Sequence, residues 1–156
     1  MLTIQQVTQE SQDLELIKVL FQEYAAGLNE NLCFQSFDEE LKNPLKKYGR
    51  PKGALFIVYS DNQAAGCIAI QPLKEDGVCE MKRLYVREGF RKLGIADQLV
   101  TILLQKAKEL GYKKMVLDTL ERLQPAIQLY LKHRFKNTSA YYQNPIRGVV
   151  YMEKEL

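Results

Sequence analysis

The sequence predicts a mixed α/β (α+β) fold: a mostly antiparallel central sheet with helices on both faces. Three observations carry that expectation. Two β-type runs, ALFIVY and AAGCIAIQPL, are separated by the turn signal SDNQ, which closes an antiparallel hairpin. A strand, a helix and a second strand follow one another between Cys79 and Thr119, a unit that closes as a parallel, right-handed crossover. The chain has 156 residues, 46% of them hydrophobic, which suits a single domain over residues 1–156 with a real core.

LTIQQVT reads as the first strand, and the helix after it repeats Leu14, Ile17, Phe21, Tyr24 and Leu28 at helical spacing until Gly27 and Asn29 weaken and end it. DEELKNPLKKYG is a short helix interrupted near Pro44, because proline lacks the N–H that an inner turn needs. The hairpin follows, and VCEMKRLYV is the third strand of that group after Asp76 and Gly77. The next helix carries Ile95, Leu99, Ile102, Leu103, Ala107 and Leu110 on one side and stops at Gly111. KMVLDT is a nearly continuous apolar strand, as expected when both faces are covered. QPAIQLYLKH is a helix that tolerates Pro125 in its first turn, and GVVYMEKEL closes the chain as a strand.

Composition excludes several functions. The 22 basic and 19 acidic residues leave a net charge of +3, spread without a basic stripe, so no nucleic-acid partner is expected. MLTIQQVTQE has neither a basic head nor an apolar signal core. No later apolar run approaches the roughly 20 residues that span a bilayer, so a cytoplasmic chain with no membrane partner is expected. Cys33, Cys67 and Cys79 lack CxxC spacing and leave one over, which speaks against a disulfide framework and a zinc site. They read as small buried apolar residues, and no metal is expected.

FRKLGIADQL starts a helix with the wrong charge for a helix start. The positive end of a helix carries unpaired N–H groups and favours acids, yet Arg91 and Lys92 precede Gly94. A bound phosphate resolves the conflict, because exposed amides at a glycine-rich turn with nearby cations make an anion site. An ordinary turn with solvated cations is the rival reading of this fragment alone.

The order of elements and the string LYVREGFRKLGIA together resemble the GNAT N-acetyltransferase superfamily, whose phosphate loop has the pattern Q/R-x-x-G-x-G/A; Arg91, Gly94 and Ala96 fill it. VLDT and AIQLYLKHRF extend the resemblance over nearly the whole chain. CEMKRLYV, LDTL and YYQNPIRG look like a small bacterial subgroup with unassigned acceptors. The resemblance implies the GNAT fold and an enzyme that uses acetyl-CoA as acyl donor. Amides of Arg91, Lys92, Leu93, Gly94, Ile95 and Ala96 would hold the pyrophosphate. The Leu84–Tyr85–Val86 stretch would line the pantetheine arm, with main-chain groups of Leu84 and Val86 offered to it as an added strand would. Lys92, where many relatives carry glycine, is either a phosphate contact or a solvated cation. Two positions depart from the family: Leu123 replaces a frequent Asn, and Arg134 replaces a glycine that takes a left-handed helix cap.

Acetyl transfer to an amine starts from the wrong protonation state. An alkyl ammonium with a pKa of about 10.4 is neutral about once per few thousand molecules at pH 7, a penalty of roughly 4 to 5 kcal/mol. A general base or a desolvated pocket must offset part of it. Glu80 sits where some members of the family carry their base, and its rival reading is a structural Glu paired with Lys82 or Arg83. Tyr130 occupies the usual acid position, from which a phenol can protonate the leaving thiolate; otherwise it is a packed aromatic. The amide near Val86 would stabilise the oxyanion. His133, the only histidine, reads better as a helix-end residue than as a base. Tyr141, Tyr142 and Asn144 are implied as acceptor contacts, and the acceptor is a small-molecule amine of open identity. A homodimer stays open. The competing class is a module on the same fold that binds acyl-CoA without turnover.

Overall fold

A computed structural model describes residues 1–156, and its seven strands form one sheet. The strands are β1 (Leu2–Gln6), β2 (Ala54–Ser60), β3 (Gln63–Pro72), β4 (Val78–Val86), β5 (Lys114–Leu120), β6 (Lys136–Thr138) and β7 (Val149–Glu155). They lie in the order β1-β2-β3-β4-β5-β7-β6, antiparallel everywhere except between β4 and β5. The expected mixed sheet is therefore present, with its parallel pair at the crossover. The three-residue edge strand β6 went unpredicted, because LysAsnThr carries no apolar alternation and pairs only through its backbone with β7.

Helix α1 (Gln12–Leu28) is capped by the Ser11 hydroxyl, which accepts from the Leu14 amide at 3.3 Å, and it ends on Asn29 in the left-handed region at φ 55°. Its buried residues Leu14, Ile17, Leu20 and Phe21 pack on Leu55, Ile57, Cys67 and Ala69 at one face of the hairpin. Helix α4 (Ile95–Glu109) packs Leu99, Val100, Leu103 and Ala107 with the alternate residues Phe56, Ile68 and Ile70 at the other face. Strand side chains alternate between faces and both faces are covered, which is why these strands read as unbroken apolar runs. The Pro44 interruption divides DEELKNPLKKYG into α2 (Phe37–Lys42) and α3 (Pro44–Tyr48). Cys67 and Cys79 are buried as expected, and burial pushes the Cys79 thiol up to about 12. Cys33 is exposed, in a 3₁₀ turn of the connection after α1, so the expectation of a buried residue fails there.

The departure from regularity that matters lies in β4. Cys67 pairs with Tyr85 and Ala69 with Lys82, so Arg83 and Leu84 together face the single residue Ile68, and Arg83 takes φ 61°. The bulge is fastened by a buried ion pair. Arg83 donates from its guanidinium to both oxygens of Glu40 at 2.7 and 2.9 Å and lies between the rings of Tyr24 and Phe37, while Lys47 reaches the same carboxylate at 3.1 Å. Pairing of β4 with β5 stops at Glu80 opposite Val116, and the strands then diverge.

Helix α5 (Gln124–Lys132) ends in a left-handed cap although a non-glycine residue, Arg134, holds the position. Arg134 sits at φ 70°, the Phe135 amide donates to Tyr130 and the Arg134 amide to Leu131. This is the double hydrogen bond of a left-handed cap, closed by the Phe135 ring against Tyr130. Arg134 is exposed and its side chain has no protein partner among the hydrogen bonds or ion pairs. Arg134→Gly should therefore leave the melting temperature unchanged or raised, since a non-glycine residue pays on the order of 1 kcal/mol at such φ.

Burial alone would raise the Glu40 carboxyl, but the Arg83 and Lys47 cations outweigh it and hold the group below its ordinary value. A depressed carboxyl stabilises fully above its unfolded value, and the contribution is lost as pH falls through the folded one. Glu40→Ala should cost about 3 to 5 kcal/mol in denaturant unfolding at pH 7, because it strands the Arg83 charge, and the cost should shrink in acid.

Candidate functional site

Three features meet along the divergent edge of β4. The first is the turn into α4. Gly94 takes φ 78° and Lys92 takes φ 64°, which turns the backbone so that its amides face outward. None of the amides from Lys92 to Asp97 donates to a protein acceptor. The turn lines a cavity of about 230 Å³ with Val86, Phe90, Pro125 and Leu129. Six consecutive unpaired donors at the positive end of a 15-residue helix suit a polyanionic group.

Arg91 plays a different part from the one expected. Its amide donates to Glu88 at 3.3 Å and its Nε to the Val86 carbonyl at 2.8 Å, so it braces the turn, and the free amides begin one residue later. Ile95 is buried and anchors the helix, Ala96 lines the cavity, and the Leu93 side chain is 61% exposed. Asp97 faces the same cavity, but it is bonded by Lys132 at 3.1 Å and His133 at 2.6 Å, which hold its carboxyl below the ordinary value. His133 is thus spent on Asp97 at the end of α5.

The second feature is the cleft opened by the diverging strands, a cavity of about 90 Å³. Leu84 from β4, Asp118 from β5, Leu123 and Tyr130 from α5, and Asn144 from the loop before β7 line it. Val86 is adjacent: the Arg87 amide pairs back to Ala65, while the Val86 carbonyl faces away from β3 toward Arg91. By strand alternation the N–H of Val86 faces that same side. Tyr85 points the other way, with its hydroxyl donating to Glu23 under α1, and its main chain is paired to Cys67 of β3, so it offers no polar group to this edge. Tyr130 is 7% exposed and has no hydrogen-bond partner, yet its oxygen is not among the fully enclosed orphans, so it faces the cleft. Burial pushes its phenol well above the ordinary value, which keeps the proton on it. Leu123 occupies the N-cap position of α5 without a side-chain cap, where an Asn would have supplied one.

The third feature is a pocket of about 380 Å³ on the far side of Glu80. Glu80 is 3% exposed and accepts from Gln71 Nε2 at 2.6 Å and from the Tyr141 hydroxyl. Burial and the Glu80 charge raise the Tyr141 phenol far above its usual value, so Tyr141 is the donor. Glu80 pairs with neither Lys82 nor Arg83; the latter belongs to Glu40, and the structural pairing weighed from sequence is not formed.

Tyr142 and Asn144 serve the second strand. The Tyr142 hydroxyl donates to Asp118, Asn144 Nδ2 donates to the same oxygen at 2.8 Å, and Gln35 Nε2 donates to the Tyr142 oxygen at 3.2 Å. The rings of Tyr141, Tyr142 and Tyr151 pack on one another at 5.3 to 6.0 Å. The loop before β7 is therefore tied to both diverging strands, through Tyr141 to β4 and through Tyr142 to β5. Sequence reasoning missed Asp118, although a lone acid in an apolar strand was a signal for it, and Gln35 and Gln71, which had none. Among the Cys, His, Asp and Glu residues no group of three has metal-site geometry. No helix is long and apolar enough to cross a membrane.

Comparison with known proteins gives a consistent result. The model of the acetyltransferase (GNAT) family matches residues 17–135. An uncharacterized N-acetyltransferase of Schizosaccharomyces pombe is 47% identical over 146 residues, covering 93% of this chain and 90% of that one. An acetyltransferase from Streptococcus agalactiae superposes with a TM-score of 0.81 at 19% identity over 99% of this chain and 98% of that one. A GNAT acetyltransferase of Elizabethkingia anophelis, solved with acetyl-CoA bound, gives 0.68 at 24% identity over 99% and 98%. The two structures share the fold, and the first relative shares nearly half its residues.

Proposed function

We propose that this chain, which belongs to the GNAT acetyltransferase family, acts as one domain over residues 1–156 that moves an acetyl group from acetyl-CoA to a primary amine in a ternary complex. The observation that carries this reading is the succession of two cavities along β4 and α5: one at the unpaired amides of Lys92 to Asp97, lined by Val86 and Leu129, and the cleft lined by Leu84 and the free Tyr130. A donor with a pyrophosphate at one end and a thioester at the other suits that succession. The relative from Elizabethkingia anophelis binds acetyl-CoA, in line with this choice.

In this scheme the amides take the pyrophosphate, and the outward groups of Leu84 and Val86 take the pantetheine arm as a strand would. The Val86 N–H is placed to stabilise negative charge on the thioester oxygen. Glu80 takes the amine proton from the acceptor side, directly or through one water, while Gln71 and Tyr141 fix its rotamer. Tyr130, kept protonated by burial, donates to the departing thiolate. Tyr141 lines the acceptor pocket; Tyr142 lines it too and, with Asn144, holds Asp118 at its boundary with the cleft.

Gly94→Glu should abolish acetyl-CoA binding in calorimetry, since it sets bulk and negative charge at a φ of 78° in the middle of the donor row. Unchanged affinity would remove the cradle from this assignment.

The two proton carriers should differ in their pH response. Glu80→Gln should lower turnover about 10²- to 10⁴-fold with acetyl-CoA affinity kept, and alkaline pH should restore part of it by supplying neutral amine. Tyr130→Phe should lose rate across the pH range. Wild-type turnover and pH dependence in Glu80→Gln would return Glu80 to a structural role. A module that only binds acyl-CoA would instead release no thiol with any amine.

A further inference from the structure

We propose that Lys82 is the anion-binding group of the acceptor pocket, and that the acceptor is an amine that also carries a carboxylate, an amino acid rather than a polyamine or a bare alkylamine. This deepens the acetyl-transfer reading and rests on the Glu80 pocket being the acceptor side.

Lys82 is 6% exposed and lies on β4 two residues after Glu80. It lines both the cleft of Tyr130 and the pocket of Glu80. Its ammonium makes no hydrogen bond or ion pair with the protein, and it is not among the fully enclosed orphan atoms, so it opens onto cavity space. The two nearest carboxylates are engaged elsewhere: Glu80 by Gln71 and Tyr141, Asp118 by Tyr142 and Asn144. A cation removed from water without a partner is strongly disfavoured, and burial accordingly pulls the Lys82 ammonium below its ordinary value against the pull of Glu80 and Asp118. An anionic oxygen on the ligand supplies the missing partner.

The charge of the pocket points the same way. Lys47 is committed to Glu40, and Lys74 and Glu75 lie exposed at the rim, so the interior offers one carboxylate that is hydrogen-bonded but has no cation partner, Glu80, and one ammonium with no partner at all, Lys82. That pair complements a zwitterion. A polyamine would instead meet an unpaired cation where it needs a second acid. Two residues of strand separate Glu80 and Lys82 by about 7 Å at the backbone and set both side chains on one face, where both line the same pocket. Phe34, Leu73 and the Tyr141 ring supply an apolar wall for its side chain.

The test compares leucine and phenylalanine with their α-amides and with 3-methylbutylamine and phenethylamine. Binding to the CoA-loaded protein is measured by calorimetry, and CoA release from acetyl-CoA is followed as kcat and KM. The acids should be preferred over the amides by about 10- to 100-fold in Kd and KM, the range of a hydrogen bond to a charged group. Lys82→Met, which removes an unpartnered buried charge and should not lower the melting temperature, should bring the acid-to-amide ratio close to one, and Lys82→Arg should restore part of it. Amides or amines bound as well as acids by the wild type, or a ratio unchanged in Lys82→Met, would overturn the proposal. An equal fall in kcat for acid and amide would also overturn it, placing Lys82 on the thioester. Acids that bind through Lys82 without CoA release would uphold this assignment and remove acetyl transfer. Absence of acid binding while acetyl-CoA still binds would overturn this assignment and leave the donor cradle standing.

Discussion

The Glu40–Arg83 ion pair is the constraint on which the site depends. Both side chains are 1% exposed, and Arg83 holds a backbone conformation, φ 61°, that a residue with a side chain ordinarily avoids. Neither the buried charges nor the strain would persist alone. Together they fix a bulge in the middle of the sheet, and the bulge turns Leu84 and Val86 off the line along which β4 and β5 pair. Sheets are normally sealed by their own hydrogen bonds, so opening one in its interior requires a local reason. Here the reason is bidentate, buried and supplied by a helix distant in sequence.

The gap exposes groups that folding otherwise satisfies. Six amides at the start of α4, a phenol at Tyr130 and an ammonium at Lys82 lack protein partners, although most polar groups in the surrounding core are paired. Unpaired donors are costly away from water, and all of these are donors. A molecule rich in acceptor oxygens is therefore the natural complement of this edge, from the start of α4 to Lys82. The acids nearby, Glu80, Asp97 and Asp118, are each held by neighbouring donors, which keeps them from quenching those free groups.

The loop with Tyr141, Tyr142 and Asn144 ties the two diverging strands together across the gap. Each tyrosine donates to a carboxylate on a different strand, and their rings pack against Tyr151 of β7. This arrangement sets the spacing of Glu80 and Asp118 without sheet hydrogen bonds. Leu123 fits the same logic: it fills the cleft as an apolar wall at a cap position where a polar residue would have bonded to the helix start.

The sequence by itself determined the elements and their order except for the edge strand β6, because each of the others rests on local physics. Periodic apolar residues marked α1 and α4, and the hairpin turn lay between two apolar runs, whereas the left-handed cap at φ 70° forms although Arg134 stands where the family has glycine, a departure that on sequence alone leaves the turn open to a local difference. The turn into α4 stood out too, because Arg91 and Lys92 precede Gly94 at the positive end of a helix. What only the tertiary structure decided is which polar groups meet. The Glu40–Arg83 pair, the Tyr142–Asp118 bond and the Gln71–Glu80 bond join residues from separate elements, and no spacing along the chain encodes them. Nor could the chain show that Arg91 would spend its side chain on the Val86 carbonyl, or that Lys82 would be left without a partner. A side chain's freedom depends on every neighbour that folding brings within about 3 Å, and those neighbours are set by packing, not by sequence distance.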